Sequence, residues 1–136
     1  MPLNSRDLAL EVEIALPAAA GSVTSPSIEL HGGDDRSDFT KLCELVVELP
    51  AFTTAELPDG NVVSVDLIHS DKADLSGAET LYSGVPLVTG ANGTGALATK
   101  KHCRFPLAVK AYVGIAVTTD AAVDVSAKKA TAYLVA

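Results

Sequence analysis

The stretch NVVSVDLIHS, residues 61–70, decides the fold. After its first residue it alternates, with Val63, Val65 and Leu67 on one side and Ser64, Asp66 and Ile68 on the other. A period of two is the side-chain repeat of an extended strand, and β-branched residues suit that conformation. Just ahead stands Pro58-Asp59-Gly60-Asn61, in which Gly and Asp supply what a hairpin bend with positive φ needs. The pattern predicts a central strand with one face in a core, entered through a hairpin turn.

The same period recurs on both sides of that strand. Upstream, residues 42–51 set Cys43, Leu45, Val47 and Leu49 against Glu44, Val46 and Glu48, and Pro50 closes the run. Farther upstream, Leu8, Leu10, Val12, Ile14 and Leu16 alternate with Asp7, Ala9, Glu11, Glu13 and Ala15, up to Pro17. Between these two, residues 18–26 read as a loop or weak edge and residues 27–31 as a short strand with Ile28 and Leu30 inward. Residues 31–38, HGGDDRSD, read as a surface loop.

Downstream, residues 71–79 form a loop around Gly77, with at most a single helical turn over 71–78. Residues 80–87 read as one strand carrying Leu81 and Val85, and TGANGT at 89–94 is the richest turn signal in the chain. Strands follow near 101–105 and over 111–119, the latter with Val113, Ile115 and Val117 on one face. A short strand at 123–125 and a last one at 129–135 complete the series. No segment carries the three- and four-residue apolar spacing of a helix. Such a chain predicts an all-β fold, a jelly roll or antiparallel β-sandwich of about eight strands. Residues 1–7 are expected as a flexible polar arm and 8–136 as a single domain.

Composition narrows the function. With aromatics at 4% and no Trp, an aromatic sugar platform or a base-stacking surface has little to be built from. A net charge of −7 without a basic stripe speaks against a nucleic-acid partner. Acidity of this kind serves solubility. No window approaches ~18 uninterrupted apolar residues, so no membrane partner is expected. Glu11 and Glu13 break the apolar run that a signal peptide ending near Ala15–Gly21 would need.

Tests for chemistry return nothing specific. Cys43 and Cys103 lack metal-ligand spacing and are expected as buried free thiols; a disulfide would need an oxidising compartment. His31, His69 and His102 are far apart in sequence, without the paired spacing of a cupin metal site, and Ser76-Gly77 lacks the leading glycine of a nucleophile elbow. Asp34, Asp35 and Asp38, and likewise Asp71 and Asp74, do not match a calcium loop. Gly32-Gly33 and residues 90–95 do not lead into a helix as a phosphate loop must. No catalytic, cofactor or metal residue is therefore expected, and no enzyme. One basic cluster remains, Lys100, Lys101, His102 and Arg104, with Lys110 beyond. It would either face an acidic partner or, the favoured reading, blunt an edge strand.

The second half carries a cadence. Val63, Val65, Leu67 and Ser70 precede an acidic loop; Leu81-Tyr82 follow; then come Arg104, Pro106, Lys110 and Tyr112. Over residues 42–135 this resembles the jelly-roll capsid cement (decoration) proteins of tailed bacteriophages, the type first associated with Bordetella phage. Ala111 departs from that pattern, where a second basic residue is expected, and the N-terminal third is more strand-like. The resemblance implies a structural virion protein on the exterior of an icosahedral head, assembled in the bacterial cytoplasm. Its partners would be the major capsid protein and further copies of itself, as a dimer or trimer. Contacts are then expected on the arm (Leu3, Arg6), on the acidic loop (Asp34, Asp35, Arg36) and on the basic strand (Lys100, Lys101, Arg104). The alternative is a β-sandwich binding module of a phage tail or cell surface that recognises glycan or protein.

Overall fold

A computed structural model describes residues 6–29, 44–105 and 109–135, with side chains from residue 11 to residue 134 within them. These residues form β1 (Arg6–Ala15), β2 (Gly21–Thr24), β3 (Ile28–Glu29), β4 (Glu44–Leu49), β5 (Val62–Ser70), β6 (Glu79–Tyr82), β7 (Leu87–Thr89), β8 (Thr99–Arg104), β9 (Tyr112–Thr119) and β10 (Lys129–Val135). One antiparallel sheet has the order β1-β10-β4-β8 and the other β2-β9-β5-β6. In the second sheet β3 pairs β9 beyond β2, and β7 pairs β5 beside β6. Taken as two interrupted strands, β2/β3 and β6/β7 leave four strands per sheet. The chain passes back and forth between the sheets at nearly every connection. That winding is a jelly roll, as the alternation predicted.

Strand β5 sits where the reading placed it, paired from Val63 to Ser70 with β9 and on its other side with β6 and β7. Val63, Val65 and Leu67 are buried, and so are Val113, Ile115 and Val117 of β9 and Leu45, Val47 and Leu49 of β4. These are the inward members of three period-two runs, and they meet in one core between the sheets. Full burial of each such side chain is worth about 1.5–3 kcal/mol.

Several expectations need correction. The turn at 58–61 forms, with Asn61 N–H donating to the Pro58 carbonyl at 3.0 Å and Gly60 at φ 84. It is not a hairpin, because β4 and β5 lie in different sheets; it is the last corner of a crossing between layers. Residues 80–87 are not one strand. β6 covers the upper half of β5 and β7 the lower, and between them Val65 pairs with Val85 and Pro86 through backbone bonds of 2.7 and 2.9 Å. Asp66 Oδ1 fills the break by accepting from Ser83 Oγ and the Gly84 N–H, each at 3.2 Å. Residues 123–125 are not a strand either. Asp124 accepts from the backbone and side chain of Ser126 and bends the chain there. Strand β1 already begins at Arg6, so Arg6 and Asp7 belong to sheet backbone rather than to an arm.

Outward residues are buried too, Val46 and Ile68 among them. Val46, opposite Tyr133 and His102 in the middle of its sheet, is only 1% exposed. Ile68 lies opposite Gly114 on the outer face of the other sheet. There the loop after β5 folds back, and Leu75 packs over Gly114 so closely that a Cβ at 114 would stand 2.6 Å from Leu75 Cδ1. Period two assigns a face, not its solvation, so neither burial was legible in alternation. Leu30, His31, the loop at 31–38 and Cys43 lie outside the described residues.

Candidate functional site

Register places the ends of the strands in two transverse rows at one end of the sandwich. In the first sheet Arg6 pairs Val135, Val135 pairs Glu44, and Glu44 pairs Arg104. In the second, Glu29 and Ser70 both flank Tyr112. Chain connectivity then fixes what emerges here. Residues 1–5 lead into Arg6, and residues 30–43 run between Glu29 and Glu44. Residues 105–111 run between Arg104 and Tyr112. Leu3, Asp34, Asp35 and Arg36 lie outside the described residues, but the segments that carry them join the sandwich at this end. Arg104 stands in the same row. Lys100 and Lys101 lie farther along β8, opposite Glu48 and Val47.

Four residues of the sequence cadence, Ser70, Tyr82, Arg104 and Lys110, bond at this end. Tyr82 on β6 donates its hydroxyl to the Arg104 carbonyl at 3.0 Å, tying the edge of one sheet to the edge of the other. Ser70 Oγ donates to the Ser76 carbonyl at 2.8 Å and accepts the Lys72 N–H at 3.1 Å, which closes the loop after β5. Lys110 donates its backbone N–H to His69 Nδ1 at 3.1 Å and its ammonium to Glu79 at 3.3 Å. His69 is buried, and that burial, with Lys110 beside it, holds its imidazole below the usual histidine range. Sequence reading had given His69 and Glu79 no partners; they face each other across the β5–β6 ladder, a pairing invisible before the register is known.

The basic cluster is the edge strand of its sheet. Glu44 takes up part of its charge, with Oε2 3.1 Å from His102 Nδ1 and Oε1 3.5 Å from Arg104 Nε. Lys101 lies on the core side of the ladder yet is exposed, because no strand lies beyond β8 in its sheet among the described residues. Charge on both faces of an edge strand is the pattern that discourages indiscriminate strand addition. Cys103 is buried behind this edge, and burial pushes its thiol pKa up, which leaves it a packing residue.

The opposite end is stapled by side chains. Thr53 and Glu56 exchange backbone and side-chain bonds of 2.9 and 3.3 Å, a capping box around one tight turn. Lys128 reaches over from the β9–β10 connection to Glu56 Oε1 and the Ala51 carbonyl, both at 2.6 Å, with its ammonium 5.7 Å from the centre of the Phe52 ring. That ammonium is the main reason the Glu56 carboxyl lies below the usual range. Asp120 accepts from the Val62 N–H and from Asn61 Nδ2 at 2.8 and 3.0 Å, which likewise lowers its carboxyl pKa. Among the described residues, no three of His, Cys, Asp and Glu come together as a set able to hold a metal ion. What the arrangement offers is a stapled frame with the strand ends Arg6, Glu29, Glu44, Arg104 and Tyr112 together at one end.

No protein-family model matches the chain, and no curated protein matches it. Among solved structures it is similar to a chain of the naturally occurring empty top component of cowpea mosaic virus. That match has 8% identity, a TM-score of 0.49, and covers 98% of this chain and 82% of that one. A chain of the empty virus-like particle of the same virus aligns at 12% identity and a TM-score of 0.41, covering 98% and 80%.

Proposed function

We propose that this protein is a structural virion component of the decoration (cement) type. It binds the outside of an icosahedral tailed-phage head through the major capsid protein and braces the junctions between capsomers. The observation that carries this reading is the row Arg6–Val135–Glu44–Arg104. Contacts were expected on the arm, the acidic loop and the basic strand, which are far apart in sequence. The described residues that adjoin the arm and the acidic loop, Arg6, Glu29 and Glu44, stand at the same end of the sandwich as Arg104 of the basic strand, which is the arrangement that engagement of a single surface would need. The sequence cadence of the phage cement proteins supports the reading independently. Its residues Ser70, Tyr82, Arg104 and Lys110 build that same end. Many copies on a lattice turn weak single contacts into firm attachment through effective concentration.

The test is sedimentation of purified protein with mature phage shells that lack it. Co-sedimentation with raised thermal stability of the shells is the expected result. Deleting residues 1–5 should lower occupancy while the melting temperature of the free protein stays unchanged. Failure to bind shells at any ratio refutes the reading and leaves the glycan- or protein-binding module to be screened.

A further inference from the structure

The two edges of the four-stranded sheet, β1 and β8, carry opposite charge. Along β8 stand Lys100, Lys101 and Arg104; along the regularly paired part of β1, residues 11–15, stand Glu11 and Glu13. Glu13 is exposed and shares its charge only loosely with Lys129, at 3.6 Å. The Arg104 carbonyl accepts from Tyr82, so it points away from β4. In an antiparallel ladder alternate residues direct their backbone groups to the same side. The N–H and C=O of Lys100 and His102 therefore also face outward, with no strand to receive them among the described residues. A second observation points to the same side. The large hydrophobic residues exposed among the described residues are Tyr82, Leu87 and Leu97, at 38%, 56% and 86%. Tyr82 lies on β6, Leu87 on β7 and Leu97 two residues before β8, all along the side that β8 borders.

We propose that this β6–β7–β8 side docks against the β1–β2 side of a second copy of the chain, head to tail, with β8 pairing the neighbour's β1. Direction permits it. β1, β10, β4 and β8 alternate in direction, so a neighbour in the same orientation presents its β1 antiparallel to β8. Charge selects it. A symmetric β8–β8 pair would set lysine against lysine, whereas β1 brings Glu13 to Lys100 or Lys101. Leu87 and Leu97 then meet the neighbour's β2 side and leave water. Such an interface is heterologous, and it builds a ring where the rotation closes. The proposal does not depend on the capsid reading, since it concerns the purified chain alone.

A zero-length carbodiimide crosslink tests it. Within one molecule β1 and β8 stand three strand spacings apart, roughly 14 Å, too far for a direct amide between Glu13 and either lysine. Isotopically heavy and light protein are mixed at high concentration, crosslinked and digested. Heavy–light peptides joining Glu13 to Lys100 or Lys101 are expected, and they should be lost at high ionic strength. The decisive variant is Lys100→Glu/Lys101→Glu, made heavy and mixed with light wild type. Its Glu13 should still link to wild-type lysines, while no link forms in the other direction. Leu97→Ser, at an exposed position, should weaken the same crosslink without altering the melting curve. Absence of inter-copy Glu13–lysine peptides overturns the proposal, as does persistence of the wild-type yield in Leu97→Ser.

Discussion

Two glycines in one turn separate backbone strain from close contact. Gly93 and Gly95 have nearly the same left-handed conformation, φ 65 and φ 70. A methyl at Gly93 would meet nothing within 4 Å. A methyl at Gly95 would overlap the Phe52 carbonyl oxygen and stand 2.6 Å from the Thr53 carbonyl carbon. Gly93→Ala should cost only the left-handed strain of an L-residue, about 1–2 kcal/mol. Gly95→Ala adds to this the separation of two chain segments. Phe52 and Ala96 exchange backbone bonds of 2.8 and 3.0 Å across the same contact. Weakening both is worth about 1 kcal/mol each, so the total reaches roughly 3–4 kcal/mol. With a urea slope near 1.5 kcal/mol per molar, the midpoint should drop by about 1 M for Gly93→Ala and by more than 2 M for Gly95→Ala. Equal drops would refute the close approach of the 90–98 connection to Phe52, and with it the stapled character of that end.

Three further outcomes follow from side-chain geometry. His69 is held below the ordinary histidine value of 6.5 by burial and by Lys110, against the opposing fields of Glu79 and Asp71. The unfolded chain therefore binds a proton that the folded one refuses, and stability should fall as pH drops below 6.5 until folded His69 also protonates; in His69→Gln, a matched pH series of urea melts should show that slope removed. Lys128→Met removes two bonds of 2.6 Å at a partly exposed site and should cost about 1–2 kcal/mol; an unchanged urea midpoint would sink the claim that Lys128 fastens the connections. Gly114→Ala should cost about 1–3 kcal/mol by crowding Leu75. In the Leu75→Ala background the same change should cost less, and strict additivity in the double-mutant cycle would exclude the contact.

Legibility in the sequence followed the range of the physics. Alternation is local, so β4, β5 and β9 were readable to within a residue or two from Val, Leu and Ile at every second position, and β10 was placed at its bounds without that signal. Turn chemistry is local as well, and Asn92-Gly93 forms the bend that its composition announced, with Thr94 N–H bonded to the Ala91 carbonyl at 3.1 Å. Which strands pair is not local. The turn at Gly60 looked like a hairpin because residues 58–61 say nothing of whether β4 and β5 share a sheet. For the same reason the His69–Lys110 and Glu56–Lys128 pairs were hidden, since their members are 41 and 72 residues apart. The basic strand was legible as charge and favoured as an edge strand, and the order β1-β10-β4-β8 places it at an edge.

That edge joins the two readings of Lys100, Lys101 and Arg104. An edge strand with lysine on both faces resists pairing with itself and with neutral strands, which keeps a β-protein at high concentration from aggregating. The same charge does not resist an acidic edge, so it discriminates between partners rather than forbidding them. Lys101 illustrates the point. Its position opposite Val47 would suit a core residue in an internal strand, yet it keeps a lysine in water. If β8 pairs the β1 of another copy, Lys101→Val should keep the inter-copy crosslink of Glu13 to Lys100. If β8 is only a blunted edge, Lys101→Val should instead produce unspecific aggregates, and the wild type should show no Glu13 crosslink.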